Sequence, residues 1–420
     1  MQSQTYEEAV KKYKRLGVDV EKALDTLRGV TFSIHGWQAD DFAGFERPDS
    51  ELSGGGLLST GDYPGAAKNI DEYRQDMEKV FSMVPGKKKL NFHTIYGDFK
   101  GEFVERDKIE PKHFDSWIDW AKKNDIGIDI NPTLWSHKLA IDGFTLSHTD
   151  SNIRDFWIEH VKRTRQIGAY IGERLNKTCI NNIWIPDGSK DYTVSKFIHR
   201  KILKESLDEI FSVKYPEEHL LDSLESKLFG VALEAYTVGS QEFYLGYALA
   251  NNKIMLYDTG HMHPEEYVSD KISAVLQFAR GIMFHLSRGM RWDSDHITLF
   301  SDEIVAIMQE IVRAGALDRV FIGTEFFDAS VNRIGAYITG VRAVQKALLY
   351  ALLEPTELLR QYEEKNQLFA RLGLLENLKA MPYGEIWDYY CNQMGVADDQ
   401  GWIDEVLEYE DEVLKKRSGK

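Results

Sequence analysis

Eight short apolar runs recur along this 420-residue chain, at residues 30–34, 90–95, 126–130, 180–185, 229–233, 253–257, 282–286 and 320–323. Each leads through polar residues toward stretches with apolar side chains at i, i+3, i+4 spacing, as at 70–84, 114–123, 156–175, 272–280, 304–314 and 336–353. Strands that are apolar without clean alternation are what a parallel sheet covered on both faces requires. Eight of them alternating with helices predict an α/β fold, a (β/α)8 TIM barrel. A doubly wound open sheet is the alternative that the same alternation permits.

Two regions exceed the bare barrel. Residues 35–65, with Gly54-Gly55-Gly56 and Asp62-Tyr63-Pro64-Gly65, are too long and glycine-rich for an ordinary βα connection and read as a functional loop over the strand ends. Residues 356–420 read as a helical tail with apolar positions at Leu358, Leu359, Tyr362, Leu368, Leu372, Trp402, Val406 and Leu407. The expected division is a barrel over 1–355, opening with a helix that carries Tyr6, Val10 and Tyr13 on one face, and a C-terminal helical extension over 356–420 that packs on its own barrel or serves as a subunit contact.

Hydrophobic residues at 43% and charged residues at 28% can supply a large core. With 67 acidic against 51 basic side chains the net charge is −16, so there is no surplus of Lys and Arg to neutralise phosphates, and nucleic acid is not an expected partner. No uncharged apolar stretch approaches the ~20 residues needed to cross a bilayer. The first thirty residues lack the apolar region of a secretory signal, and two distant cysteines, Cys179 and Cys391, make no disulfide framework. A cytoplasmic protein without a membrane partner is the expectation.

In such a barrel the C-terminal ends of the strands face the active-site mouth. The last four runs deliver Glu234, Asp258, His285 and Glu325 there. Three carboxylates and an imidazole converging on one point repel each other unless a cation sits between them. Just beyond lie His261, in Tyr257-Asp-Thr-Gly-His-Met-His-Pro, and Asp293 and Asp295, whose i, i+2 spacing points both carboxylates the same way in extended chain. His261, Asp293 and Asp295, with Glu234 bridging, make a second site beside the first. Oxygen-dominated spheres with one nitrogen suit Mn²⁺, Mg²⁺ or Co²⁺, at two ions per subunit; Zn²⁺ is possible, although the absence of thiolates weakens the case for a structural zinc.

Singly, each of these residues has an ordinary structural explanation, as a loop carboxylate, a helix cap or a core histidine; their spacing at successive strand ends argues for metal. His263 and His296 are the expected decoys, and Asp328 is a possible substitute ligand. Earlier strand ends add His35, Trp37, His93, Asn131, Trp135, His137, Trp184 and Asp187, aromatic and hydrogen-bonding groups suited to a polyhydroxylated substrate. Trp37, Trp184 and His93 are the candidate substrate-binding residues. Lys87-Lys88-Lys89 reads as a solvated turn. No phosphate-binding loop, nucleophile elbow or Cys-x-x-Cys occurs.

Several stretches resemble L-rhamnose isomerases: Asn131-Pro-Thr, Asp142-Gly-Phe-Thr-Leu-Ser-His, Asn182-Ile-Trp-Ile-Pro-Asp-Gly, Glu225-Ser-Lys-Leu-Phe-Gly, Tyr236-Thr-Val-Gly-Ser, Gly260-His-Met-His-Pro, Ser269-Asp-Lys-Ile-Ser, Arg291-Trp-Asp-Ser-Asp-His and Phe326-Phe-Asp-Ala-Ser. The resemblance runs from about residue 35 to 355 and more weakly along the tail. It implies a (β/α)8 barrel that interconverts L-rhamnose and L-rhamnulose with divalent metal, usually Mn²⁺, as a cytoplasmic homotetramer. It carries one metal site onto His261, Asp293 and Asp295 and the other onto Glu234, Asp258 and His285, with Glu325 where the family has Asp. It matches His93 to a histidine near the ring oxygen of the sugar. The expected chemistry is a metal-assisted 1,2-hydride shift, with His93, Glu325 and Asp293 catalytic. The rivals from other classes are a two-metal phosphoesterase on a similar barrel and a non-catalytic sugar-binding protein.

Overall fold

The computed structural model describes residues 4–46, 61–227, 235–263, 265–289, 295–398 and 401–417. The barrel strands are β1 (Thr31–His35), β2 (Lys87–His93), β3 (Gly127–Asn131), β4 (Cys179–Ile183), β5 (Leu220–Glu225), β6 (Ile254–Asp258), β7 (Ile282–Leu286) and β8 (Val320–Thr324). All pairings are parallel, and β1 pairs with β8 through Phe32 opposite Ile322 and Ile34 opposite Thr324, which closes the sheet and excludes the doubly wound alternative. Helices Ile70–Met83, Asp115–Lys123, Ser151–Leu175, Lys196–Ile210, Gln241–Ala250, Ser269–Val275, Asp302–Arg313 and Arg333–Leu352 follow the strands in turn. Side chains of Asn69, Asp150, Ser301 and Asn332 accept backbone N–H groups that the first turns of four of these helices leave unpaired.

Two expectations require correction. The fifth strand is Leu220–Glu225, whereas the run at 229–233 lies outside the described residues. The sequence Leu-Leu-Asp-Ser-Leu-Glu is too polar to read as a buried strand, yet its polar groups are satisfied. Asp222 receives Arg165 Nε at 3.0 Å and Lys253 Nζ at 2.8 Å, and Ser223 Oγ donates to Asn182 Oδ1 at 3.0 Å. Lys87-Lys88-Lys89 is likewise not a solvated turn but the start of β2. Lys88 Nζ reaches the Phe81 carbonyl at 3.1 Å, and Lys89 Nζ reaches Asp129 Oδ1 at 2.9 Å. Gly127, opposite Lys89 in the β2–β3 register, leaves room for the lysine stem, since a Cβ there would stand 2.8 Å from Lys89 Cγ.

Alternation along the strands puts Leu221 and Ser223 on the same face as Glu225, Ile254 and Leu256 with Asp258, and Met283 with His285. Ile180, Ile254, Leu256 and Met283 pack together, with Leu221 and Phe321 against them, as an apolar floor beneath the mouth. The register then sets the polar ends level: Asp258 lies opposite His285, and His285 opposite Gly323.

The opening helix, Gln4–Arg15, buries Tyr6, Ala9 and Tyr13, and Tyr6 stacks on Tyr389 at 3.8 Å between ring centroids. Its partner is therefore a helix of the C-terminal tail, Tyr383–Gln393, in the same chain. The tail continues through Gly401–Tyr409 to Glu410 and Arg417. Tyr63 donates to Glu410 Oε2 at 2.7 Å, and Arg417 pairs with Asp76 at 2.6 Å.

The Lys89–Asp129 pair gives a stability test. Replacing Lys89 with Met leaves a 1% exposed carboxylate with only Ser33 and the Ile180 N–H. Breaking a buried pair from one side costs about 3 kcal/mol, so Lys89→Met is expected to lower the apparent Tm by several degrees, whereas Lys112→Met, at an exposed pair, leaves it within error. Equal melting curves for the two variants would contradict this.

Candidate metal centre

The polar ends of β5 to β8 converge. Glu225 and Asp258 are the last residues of β5 and β6, His285 is the next to last of β7, and Glu325 follows β8 directly. One ligand atom from each of the four lies within 4.8 Å of the others, and a second group, Asp258, His261 and Asp295, satisfies the same limit. Asp258 belongs to both. His261 Nδ1 is 3.1 Å from Glu225 Oε1, and His285 Nδ1 is 3.5 Å from Glu225 Oε2 and in closer contact with Glu325 Oε2. Asn182 Nδ2 donates to Glu225 Oε2 at 2.5 Å and is itself held by Ser223.

Gly260 makes the second group possible through space rather than backbone conformation. A Cβ there would stand 2.0 Å from Asp295 Oδ1 and 3.2 Å from Asp258 Oδ1. Gly323 does the same for the imidazole, with His285 Cδ2 3.3 Å from where its Cβ would be.

The titrating groups of the cluster act strongly on one another. Burial, reinforced by Asp295, Glu325 and Glu225, pushes the Asp258 carboxyl well above the usual range, against the pull of His261. Burial acts on Glu225 in the same direction, but the hydrogen bond from His261 and the charges of His285 and His261 outweigh it, bringing that carboxyl down to about 2. Burial disfavours the His285 imidazolium, yet Glu325 and Glu225 raise its pKa overall. Asp258 Oδ2 and His285 Nε2 are buried without a hydrogen-bond partner among the described residues. Buried polar atoms are seldom left so, and a hard or borderline divalent ion satisfies both with the oxygen and nitrogen donors present.

Of the expected ligands, Asp258, His261, His285, Asp295 and Glu325 come together, while Glu234 and Asp293 lie outside the described residues. Glu225, the β5 ligand candidate, was missed. The signal for it was the Tyr215-Pro216 break after the preceding helix, which makes a strand due within a few residues. His263 is exposed and His296 pairs through its backbone with Arg288; neither joins a cluster. Asp328 Oδ1 accepts the Ser330 N–H at 2.9 Å in a turn and is not in either group. Asp187 is occupied elsewhere: Oδ2 accepts the Thr145 and Ser147 N–H groups at 2.8 and 2.9 Å, and Oδ1 accepts the Thr145 hydroxyl.

Beside the cluster stands an aromatic wall. His93 is 5.1 Å from Trp37, 5.0 Å from Phe42 and 6.2 Å from Trp135, ring to ring, and its Nδ1 is 3.2 Å from Thr133 Oγ1. Burial brings the His93 pKa down to about 3 against the pull of Glu225, so the imidazole is neutral near pH 7. Trp184 stands apart, its ring 4.8 Å from Lys227 Nζ. Phe42 and its neighbour Asp41 have φ of 64° and 56°. Neither is glycine, and the left-handed region costs roughly 1–2 kcal/mol per residue.

The sequence profile of L-rhamnose isomerase (RhaA) matches residues 1–417. The chain belongs to the L-rhamnose isomerase family. It is 48% identical over 415 residues to an L-rhamnose isomerase of Listeria monocytogenes serotype 4a, covering 99% of this chain and 98% of that one. It is 49% identical over 413 residues to the L-rhamnose isomerase of Rhodopirellula baltica, covering 98% and 96%, and 49% identical over 415 residues to that of Salmonella paratyphi B, covering 99% of each. Among solved structures, an L-ribulose 3-epimerase is similar at a TM-score of 0.48 and 10% identity, over 76% of this chain and 95% of that one. Family membership and the barrel agree with the resemblance read from the motifs.

Proposed function

We propose that this chain interconverts L-rhamnose and L-rhamnulose at the β5–β8 cluster, with two divalent ions, Mn²⁺ the best suited, held by Glu225, Asp258, His285 and Glu325 and by Asp258, His261 and Asp295. Asp293 completes the candidate set, and Glu225 takes the place at the end of β5 expected of Glu234. The observation that carries this reading is the convergence of two buried carboxylates, two half-buried ones and two buried histidines around two unpartnered ligand atoms, Asp258 Oδ2 and His285 Nε2. A divalent ion supplies Lewis-acid polarisation of the sugar's carbonyl and hydroxyl oxygens. The chain's own groups do the rest. Neutral His93 can pass one proton at the ring oxygen, Trp37 and Trp184 offer apolar faces to the sugar, and Glu325, oriented by His285, takes the proton of the O2 hydroxyl as hydride moves from C2 to C1 and returns it to O1. Membership of an isomerase family favours this reading over phosphoester hydrolysis or sugar binding alone.

Incubation with Mn²⁺ and C2-deuterated L-rhamnose is expected to give L-rhamnulose that keeps the label at C1. Thorough chelation should bring turnover to below about one per cent, restored by Mn²⁺. Extensive loss of label to solvent would overturn the hydride shift, and activity that survives chelation would overturn the metal reading.

The homotetramer and the cytoplasmic setting belong to the same proposal. Helix Leu368–Leu378 buries only Leu378 and leaves Leu368, Phe369 and Leu372 at 50%, 87% and 57% exposure, an apolar face suited to another subunit. Cys179 and Cys391 are unpaired and buried, as a reducing compartment allows, and no helix among the described residues is long and apolar enough to cross a membrane. Phe369→Glu with Leu372→Glu is expected to yield a smaller assembly by sedimentation; an unchanged mass would remove the tail from the interface.

A further inference from the structure

Arg333 sits in the first turn of helix Arg333–Leu352, where a cation opposes the helix dipole, so helix stability does not call for it. Its guanidinium is nearly buried and faces the strained turn after β1. Nε donates to Asp41 Oδ1 at 2.8 Å and one terminal nitrogen to Asp41 Oδ2 at 2.6 Å, a two-point fork that a lysine cannot reproduce. The other terminal nitrogen donates to the carbonyls of Tyr63 and Pro64. A single side chain thus ties Asp41 and Tyr63–Pro64 to the same helix end.

The next residue after Asp41 is Phe42, also left-handed, and its ring is 2% exposed among Trp37, His93, Trp135 and Phe327 at 5.3, 5.0, 4.7 and 5.4 Å. Two successive strained residues beside a reactive group persist only where the surroundings over-determine them. The restraints include the Arg333 fork, the Phe42 N–H on the Trp37 carbonyl at 2.9 Å, the Asp40 carboxylate accepting the Gly44 N–H at 2.8 Å and the Tyr96 hydroxyl at 2.7 Å, and the Gln38 amide on the Asp328 backbone. Of these, the fork is the one from another part of the chain that holds a strained residue itself, Asp41.

We propose that Arg333 is a positioning residue: its ion pair with Asp41 holds the left-handed turn that seats Phe42 against the His93 imidazole, and so sets how tightly the sugar is bound. This rests on the reading of His93 as a sugar-facing group. Asp41 and Arg333 touch no reacting atom, so their effect falls on KM, passes through Phe42, and leaves the metal cluster alone.

A double-variant cycle on the Mn²⁺-loaded full chain tests it, with L-rhamnose kinetics and Mn²⁺ titration for wild type, Arg333→Lys, Phe42→Ala and the pair. Arg333→Lys is expected to raise KM about tenfold, equivalent to about 1.4 kcal/mol, with kcat within about threefold and Mn²⁺ affinity unchanged. The pair should be no worse than Phe42→Ala alone. Multiplying KM effects, a wild-type KM for Arg333→Lys, or Mn²⁺ affinity that weakens in step with KM would overturn the proposal. If Arg333→Lys does not fold, Asp41→Asn, which tolerates the left-handed backbone and drops the ion pair, carries the same cycle. A wild type that forms no L-rhamnulose defeats the function proposed above and this inference with it; wild-type turnover with multiplying effects defeats this inference alone.

Discussion

Carboxylates taken out of water repel one another strongly, and a fold that gathers Glu225, Asp258, Asp295 and Glu325 around two histidines must either neutralise them or hold a cation. The barrel does this by register. Parallel pairing sets Asp258 level with His285, and His285 level with a glycine that yields it space, so the ligand candidates arrive from successive strands without long flexible arms. Beneath them the apolar packing of Ile180, Ile254, Leu256 and Met283 keeps the floor dry, and above them Gly260 lets Asp295 approach Asp258. Most other features of the mouth serve to fix these side chains or to wall them in.

Fixing works by hydrogen-bonded chains rather than by single contacts. Ser223 holds Asn182, which holds one oxygen of Glu225, while His261 takes the other. Outer partners of this kind orient ligands and tune their basicity. The wall of Trp37, Phe42 and Trp135 around His93 is held differently, by a strained turn whose restraints come from the start of the last barrel helix, and the tail reaches the same region through Tyr63 and Glu410. Metal cluster and aromatic wall are thus supported by separate parts of the chain.

How much of this was legible in the sequence depended on whether burial was announced by apolar residues. The strands ending at Asp258, Leu286 and Thr324 are largely apolar runs, and Asp258, His285 and Glu325, at or beside their ends, are readable as ligand candidates. The fifth strand is not, because Asp222 and Ser223 are paired with groups from other elements, Arg165, Lys253 and Asn182, that no local pattern reveals; the local pattern favours the more apolar 229–233 and with it Glu234 over Glu225. Lys89 failed for the same reason, its charge balanced by Asp129 forty residues away. The left-handed pair Asp41 and Phe42 carries neither Gly nor Asn to mark it, and the arginine that holds it lies 292 residues along the chain from Asp41. The family motifs, by contrast, were readable without any structure, since Glu225-Ser-Lys-Leu-Phe-Gly was present whatever role each residue took.

The central claim is that Glu225 closes the cluster from β5. Equilibrium dialysis of Mn²⁺ against wild type and Glu225→Gln tests it without recourse to turnover. The amide keeps the shape of the side chain but removes the charge. The account predicts Mn²⁺ binding weakened by at least about a hundredfold, more than the loss of an outer partner would bring. Wild-type affinity and stoichiometry in Glu225→Gln would contradict it.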